Sequence, residues 1–160
     1  MNEYKLASIQ EIVSGVPRSG FLGSSEQVLS MELKIAILTG GGDSPGLNGA
    51  IKWVTKSALD PKLAAKRTLT FTVRGVVDGW KGLIEVDPGD PKSRERNIRH
   101  LDEEIVRTWD RYGGTNLGTS RTNPFTPEND RSERLIQNIK KLGIDVLVAL
   151  GGEDTLGVTY

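Results

Sequence analysis

The residues best suited to chemistry stand near the end of the chain, directly behind an apolar run. Residues 145–150 read Asp-Val-Leu-Val-Ala-Leu, and residues 151–155 then supply two glycines, a glutamate, an aspartate and a threonine. Glycines let a backbone come close to a ligand, and divalent cations prefer carboxylate oxygens. A central strand buried on both faces that runs into such a turn predicts a phosphate or metal–phosphate site. A tight strand-to-helix turn capped by acids is the alternative.

A second candidate binding segment follows the apolar residues 34–39. Residues 40–42 are three glycines, and Ser44 and Pro45 are the expected N-cap and first residue of a helix. Amide groups and the positive end of a helix dipole favour an anion there. Pro45 occupies the third glycine position of a dinucleotide fingerprint, and no Lys-Ser/Thr pair completes a Walker loop. An anion site or a plain tight turn remains.

A third segment, residues 113–122, is rich in glycine and hydroxyl side chains and contains few apolar residues. It presents one charge, Arg121. A guanidinium held on such a loop suits bidentate contact with phosphoryl oxygens. The alternative is an arginine in a surface salt bridge.

The elements that must position these segments follow from the periodicity of the apolar residues. Strands are expected at 34–39, 68–73 and 145–150, with helices from Pro45, over 101–109 and from Thr126. This alternation predicts an α/β fold with a doubly wound, Rossmann-like, mainly parallel sheet. The carboxyl ends of its strands would bring the three segments to one crevice.

Bulk composition excludes several classes of function. The 160 residues include 21 basic and 21 acidic side chains and no cysteine. We therefore expect no nucleic-acid partner, no membrane partner and no disulfide, and a cytoplasmic location. Residues 1–30 lack a signal-peptide pattern and are predicted to be a loose extension, with Met31 as a candidate start. Residues 31–160 are the predicted domain.

These motifs, in this order, resemble the N-terminal part of the 6-phosphofructokinase family. The likeness rests on residues 35–48, residues 113–121 and residues 135–154. It implies phosphoryl transfer to the 1-hydroxyl of fructose 6-phosphate, a glycolytic step, with Mg²⁺ as the cofactor. It also implies a homo-oligomer for the full-length protein.

The resemblance assigns roles to individual residues. Arg121 and Asp154 are implied to be catalytic, with Arg121 on the phosphoryl group in flight, and Glu153 to hold the metal directly or through water. The implied phosphoryl-donor-binding residues are Gly41, Gly42, Arg121, Thr122, Gly152, Asp154 and Thr155. Phosphoryl transfer needs positioning and charge neutralisation, which an arginine and a metal supply. Many relatives have aspartate at the position of Glu153.

Asp154 favours pyrophosphate as the donor. Relatives that use ATP typically have glycine after the acid, whereas this chain resembles pyrophosphate-dependent relatives. A carboxylate there would repel the α-phosphate of ATP, which pyrophosphate lacks. An ATP-dependent 6-phosphofructokinase is the alternative. Lys52 and Lys56 stand where some bacterial relatives carry effector-binding arginines, and lysine is a poorer bidentate ligand.

The family's general base lies in a Thr-Ile-Asp-Asn-Asp-like motif, and no such motif occurs before Tyr160. The resemblance therefore implies a domain truncated at its C-terminus that carries the donor half of a site and shows no turnover alone. A non-catalytic phosphate-binding or assembly module is a second alternative. A dinucleotide-dependent oxidoreductase is disfavoured by the glycine spacing.

Overall fold

A mixed four-stranded sheet organises the part of the chain that the computed structural model describes, residues 31–67 and 69–159. Its strands are β1 (Met31–Thr39), β2 (Leu69–Val76), β3 (Ile98–Leu101) and β4 (Val146–Leu150). Their order is β3-β2-β1-β4, with β1 parallel to β2 and β4, and β3 antiparallel to β2. The α/β fold with a mainly parallel sheet is confirmed. The loose extension predicted for residues 1–30 lies outside the described residues.

Helices and 3₁₀ turns connect these strands. The helices are α1 (Leu47–Leu59), α2 (Pro61–Arg67), α3 (Trp80–Glu85), α4 (Pro91–Asn97), α5 (Glu103–Val106), α6 (Ser132–Leu142) and α7 (Glu153–Gly157). Two 3₁₀ turns span Trp109–Arg111 and Pro127–Asn129. Within the described ranges, no helix has the length and apolar character needed to cross a bilayer.

Strand β1 is buried on both faces because its side chains alternate between two apolar clusters. Ile35 and Ile37 pack with residues of α1, α5 and the first 3₁₀ turn. Ala36 and Leu38 pack on the opposite face with residues of α3 and α6. Apolar cores on both faces make β1 the rigid centre of the fold, and its carboxyl end leads into the glycine triplet.

The prediction that residues 145–150 form a central strand was wrong in position. Within the described residues β4 pairs only with β1, at the edge of the sheet, and its side chains are half-buried. Val146 and Val148 pack against one apolar cluster, and Leu147 and Ala149 against the other. Two covered faces explain the apolar run, since a run of this kind reports the faces of a strand and not its hydrogen-bonded edges.

Several predicted helix starts also needed correction. Helix α1 begins at Leu47, after Gly46, and lacks a side-chain cap, so Ser44 is not its N-cap. The helix expected from Thr126 begins at Ser132, because a 3₁₀ turn and an extended Asp130 intervene. The preference of proline for turns outweighs the helix propensity of the neighbouring residues there.

The helix expected over residues 101–109 is mostly absent. Leu101 ends β3, and only Glu103–Val106 are helical before the first 3₁₀ turn. Asp102 does cap this short helix, accepting a hydrogen bond from the backbone N–H of Ile105 at 2.7 Å. Gly143 ends α6 with φ 62° and ψ 41°, a left-handed conformation that glycine commonly adopts at helix ends.

Candidate functional site

The three predicted binding segments meet where β1 and β4 end. The Gly40 N–H donates to the carbonyl oxygen of Leu150 at 3.0 Å, which joins the glycine triplet to the end of β4. The Gly41 N–H donates to the carbonyl oxygen of Ser120 at 3.2 Å, which joins it to the loop of residues 113–122. Gly41 has φ +78°, a conformation that favours glycine. One residue pair therefore links each outer segment to the triplet.

Thr155 is packed between the two glycine turns. A Cβ atom placed on Gly40 or on Gly151 would lie 2.6 Å from its Oγ1 atom. On Gly151, the added atom would also lie 2.6 Å from the carbonyl oxygen of Gly40. These glycines are needed because backbone and threonine approach more closely than any side chain permits. The Trp80 indole N–H donates to the Thr155 carbonyl oxygen at 3.3 Å and holds α7 in this place.

Polar side chains inside the sheet and α1 hold the loop of residues 113–122. Asn48 is buried, donates to the carbonyl oxygen of Tyr112 at 3.1 Å and accepts from the Asn116 N–H at 2.8 Å. The Thr39 hydroxyl donates to the carbonyl oxygen of Gly118 at 2.7 Å. These contacts fix the loop that presents Arg121 at the sheet edge.

These supporting residues were not among the predicted site residues. Thr39, Asn48 and Trp80 occur inside a strand, a helix and an apolar segment, where their types alone signal nothing. For Thr39 and Asn48, the available signal was a polar side chain at a buried position, since buried polar groups require partners.

The meeting point forms a cleft of about 310 Å³. Its lining residues are Gly41, Gly42, Trp80, Ser120, Arg121, Thr122, Asn123, Asp154 and Thr155. Six of the eight predicted site residues are therefore together. Gly152 and Glu153 lie outside this lining, although the Gly152 nitrogen would be 3.8 Å from a Cβ on Gly41. Glu153 is exposed at the first residue of α7, beside Asp154.

The charges of the cleft are one guanidinium and one carboxylate. Arg121 and Asp154 both line it, and both side chains are exposed. Two ion pairs form within the described residues, and neither includes Arg121 or Asp154. The surface salt bridge considered for Arg121 is thus not formed with any described residue. A guanidinium that forms no ion pair with any described residue and lies beside open glycine backbone can bind an anionic ligand.

The carboxylates at the start of α7 suit a metal ion that is held mainly by the phosphates of a bound ligand. Among the residues that the structure describes, no three carboxylate or imidazole side chains group as a protein-only metal site. Mg²⁺ commonly binds proteins through one or two carboxylates and completes its shell with substrate phosphates and water. Glu153 and Asp154 are adjacent exposed carboxylates of this kind.

Lys52 and Lys56 are engaged within the chain. The Lys52 ammonium lies 2.7 Å from the Asp110 carboxylate and donates to the Arg107 carbonyl oxygen at 2.8 Å. The hydrogen bond from Lys52 to the Asp110 carboxylate lowers the pKa of Asp110 below its ordinary value. The Lys56 ammonium lies 5.6 Å from the ring centroid of Trp53. The Lys52–Asp110 pair ties α1 to the first 3₁₀ turn, whereas the Lys56 contact lies within α1.

A larger cavity, of about 990 Å³, lies away from the cleft, between the end of α3 and α6. Both acidic and basic side chains line its wall, and no predicted site residue does. Size alone therefore does not identify the functional site of this chain. The smaller cleft is favoured because it collects the glycine turns and the free guanidinium.

Curated relatives match most of this chain. The "Pyrophosphate--fructose 6-phosphate 1-phosphotransferase" of Dictyoglomus thermophilum is 42% identical over 127 residues, which are 79% of this chain and 31% of that protein. The protein of the same name from Thermoproteus tenax is 38% identical over 125 residues, which are 78% of this chain and 31% of that protein. The chain thus spans about a third of the length of these relatives.

Solved structures give the same fold. Pichia pastoris phosphofructokinase in the T-state aligns with 91% of this chain and 14% of its own, at a TM-score of 0.66 and 26% identity. The phosphofructokinase of Saccharomyces cerevisiae aligns with 78% of this chain and 14% of its own, at a TM-score of 0.59 and 32% identity. The sequence profile described as phosphofructokinase matches residues 34–160. With most of its length matched in this way, the chain belongs to the phosphofructokinase family.

Proposed function

We propose that the chain is the donor-site part of an enzyme that transfers a phosphoryl group from pyrophosphate to the 1-hydroxyl of fructose 6-phosphate. The observation that carries this proposal is the single cleft that collects Gly41, Gly42, Arg121 and Thr155. The names of the relatives that are 36–42% identical support the reaction and the donor.

Each of these four residues has a physical role in this reaction. Gly41 and Gly42 leave the backbone open to the donor phosphates, and no heavy atom would lie within 4 Å of a Cβ on Gly42. The Arg121 guanidinium contacts the phosphoryl oxygens as charge is redistributed between them. The Thr155 side chain, 2% exposed, sets the spacing between the glycine turns.

Glu153 is the carboxylate that would hold Mg²⁺ together with the donor phosphates, with Asp154 beside it. The ion, when bound, neutralises phosphate charge and orients the donor for in-line transfer. The protein's own contribution is to keep the two carboxylates on a short helix fixed by the Trp80–Thr155 hydrogen bond of 3.3 Å. Glu153 lies outside the lining of the cleft, so we expect it to act through a metal-bound water.

Asp154 is the proposed selector of the donor. Its side chain lines the cleft beside Gly41 and Thr155. A carboxylate at this position disfavours a third phosphate that continues into a nucleoside, through both repulsion and occupied space. A pyrophosphate donor ends before this point.

Calorimetric titration of the 160-residue chain with Mg²⁺-pyrophosphate and Mg²⁺-ATP tests the donor. We expect pyrophosphate to bind at least about tenfold more tightly than ATP. Asp154→Gly should lower the ratio of pyrophosphate affinity to ATP affinity by about tenfold. Asp154→Asn, which keeps the size of the side chain and removes its charge, should lower this ratio by less. The thermal midpoint of each variant controls for the propensity loss of about 1 kcal/mol that glycine brings to a helix.

The alternatives give different results. Equal affinities for both donors, unchanged by Asp154→Gly, would favour an ATP-dependent enzyme. Binding of neither donor would favour a non-catalytic assembly module over a phosphate-binding one. We also expect no fructose 1,6-bisphosphate from the purified 160-residue chain, and a measurable rate would contradict the proposal that it supplies only the donor part.

A further inference from the structure

Besides the donor cleft and the larger cavity between α3 and α6, a cavity of about 400 Å³ adjoins the donor cleft and is called the second cavity. Arg121, Thr122 and Asn123 line both spaces, so the two are neighbours across one short segment. Neither Asp154 nor any other residue of α7 lines the second cavity. Its volume is within the range of about 300–1,000 Å³ that small-molecule sites occupy. Nothing in the proposed reaction uses it.

Positive charge dominates the wall of this cavity. Lys81, Arg121 and Arg131 line it together with a single acid, Glu85. Neither of the two ion pairs formed among the described residues involves any of these four side chains. The remaining lining groups include hydroxyl and amide side chains, which donate hydrogen bonds without adding negative charge. Such a wall favours a compact anion.

The loop that forms one side of the cavity is held by its own hydrogen bonds. The Arg131 N–H donates to the carbonyl oxygen of Pro124 at 2.8 Å, which closes the loop. The Arg131 Nε donates to Asn129 Oδ1 at 3.2 Å. Thr126 Oγ1 donates to the Asn123 carbonyl oxygen at 2.8 Å. Arg131 is therefore anchored by Nε while its two terminal nitrogens make no hydrogen bond to any described residue, and an anchored donor loses less entropy on binding.

We propose that this second cavity binds a tetrahedral phosphate-class anion, either inorganic phosphate or a phosphate monoester, separately from the donor. Two guanidinium groups and an ammonium match the geometry and charge of phosphate oxygens. Occupation of this cavity would draw Arg121 away from the donor cleft, since one guanidinium serves both. The regulatory meaning of the site, though not its existence, rests on the proposed pyrophosphate function.

Antagonism between the two ligands follows from the shared arginine. If phosphate in the second cavity weakens pyrophosphate binding by some factor, pyrophosphate must weaken phosphate binding at that cavity by the same factor. This reciprocity is measurable on the isolated chain, without turnover.

The test uses calorimetric titration of the 160-residue chain with inorganic phosphate and, separately, with glycerol phosphate as a monoester. Lys81→Met and Arg131→Met remove charge and keep an unbranched stem, and Lys92→Met is the matched control at an exposed position outside both cavities. Each test substitution should weaken phosphate binding by about tenfold, and the control by less than about twofold. Pyrophosphate affinity in phosphate-free buffer should fall by less than about threefold in the test variants.

Three results would overturn the inference or separate it from the proposed function. If phosphate binding is lost in Arg121→Met and unchanged in Lys81→Met and Arg131→Met, phosphate occupies only the donor cleft and the inference fails. If the chain binds no phosphate or monoester, it also fails. If pyrophosphate does not bind while phosphate binds in a manner sensitive to Lys81 and Arg131, the proposed function fails and the second site stands.

Discussion

Substitution of Gly151 tests the close approach that brings the binding segments together. A Cβ at this position would lie 2.6 Å from the Gly40 carbonyl oxygen and from Thr155 Oγ1, and 2.8 Å from Thr155 Cβ. Backbone on one side and a buried side chain on the other leave little room to relax. Overpacking of this kind destabilises by about 1–3 kcal/mol, and the lower entropy of the unfolded chain with alanine returns about 0.4–1 kcal/mol. We expect Gly151→Ala to lose about 1–2 kcal/mol.

The neighbouring glycine supplies the matched control. A Cβ on Gly152 would meet nothing within 4 Å, and its φ of −83° is open to alanine. Alanine caps the helix less well than glycine, but it also lowers the conformational entropy of the unfolded chain. Because these effects nearly offset each other, the free energy of unfolding of Gly152→Ala should stay within about 0.5 kcal/mol of the parent. In urea unfolding, the Gly151→Ala midpoint should fall by about 0.5–1 M, and the Gly152→Ala midpoint should not.

Thr155 separates the side-chain and backbone parts of the effect. The three atoms nearest to a Cβ on Gly40 all belong to Thr155, at 2.6, 2.9 and 3.3 Å. Thr155→Ala removes the two nearest and should rescue Gly40→Ala by about 1 kcal/mol in a double-mutant cycle. The same change should rescue Gly151→Ala less, because the Gly40 carbonyl oxygen remains. Equal midpoints for Gly151→Ala and Gly152→Ala would refute the packing described here.

Two further predictions concern groups away from the cleft. Asp110→Asn removes the 2.7 Å pair with Lys52. Because the folded pKa of Asp110 is lowered, this pair contributes stability above the ordinary carboxyl pKa of about 3.9 and loses it as the pH falls through the lowered value. The urea midpoints of parent and variant should therefore converge under acid conditions, and a gap independent of pH would contradict this. Asn138 is 5% exposed and donates to three carbonyl oxygens, at 2.8, 2.9 and 3.3 Å. Asn138→Ala should lose about 1–3 kcal/mol in urea unfolding, against little change for the exposed Gln137→Ala, and equal losses would count against a role for these hydrogen bonds.

The sheet and its binding loops could be predicted because they depend on local signals. Apolar runs identified β1 and β4, and glycine clusters behind them marked the turns. The parallel order follows from the alternation of strands and helices, which places the carboxyl ends of β1 and β4 side by side. Six of the predicted site residues share the cleft, and they were predicted from these rules together with the family resemblance.

What sequence could not supply was the set of long-range contacts. Within the described residues β4 pairs with β1 alone, and an apolar run does not encode which strands will pair. The Trp80–Thr155 and Asn48–Asn116 hydrogen bonds join residues 75 and 68 positions apart. The predicted helix starts near Pro45 and Pro127 were wrong, because turns compete closely with the first helical turn at these positions.

Separate glycine-bearing segments and Arg121 are proposed to bind one polyphosphate, and NMR titration of the 17.5 kDa chain with Mg²⁺-pyrophosphate shows whether they do. The amide signals of Gly41, Gly42, Thr122 and Thr155 should shift together with one dissociation constant, and Arg121→Met should abolish the shifts. Shifts confined to one segment, or shifts that persist without the arginine, would contradict a shared site.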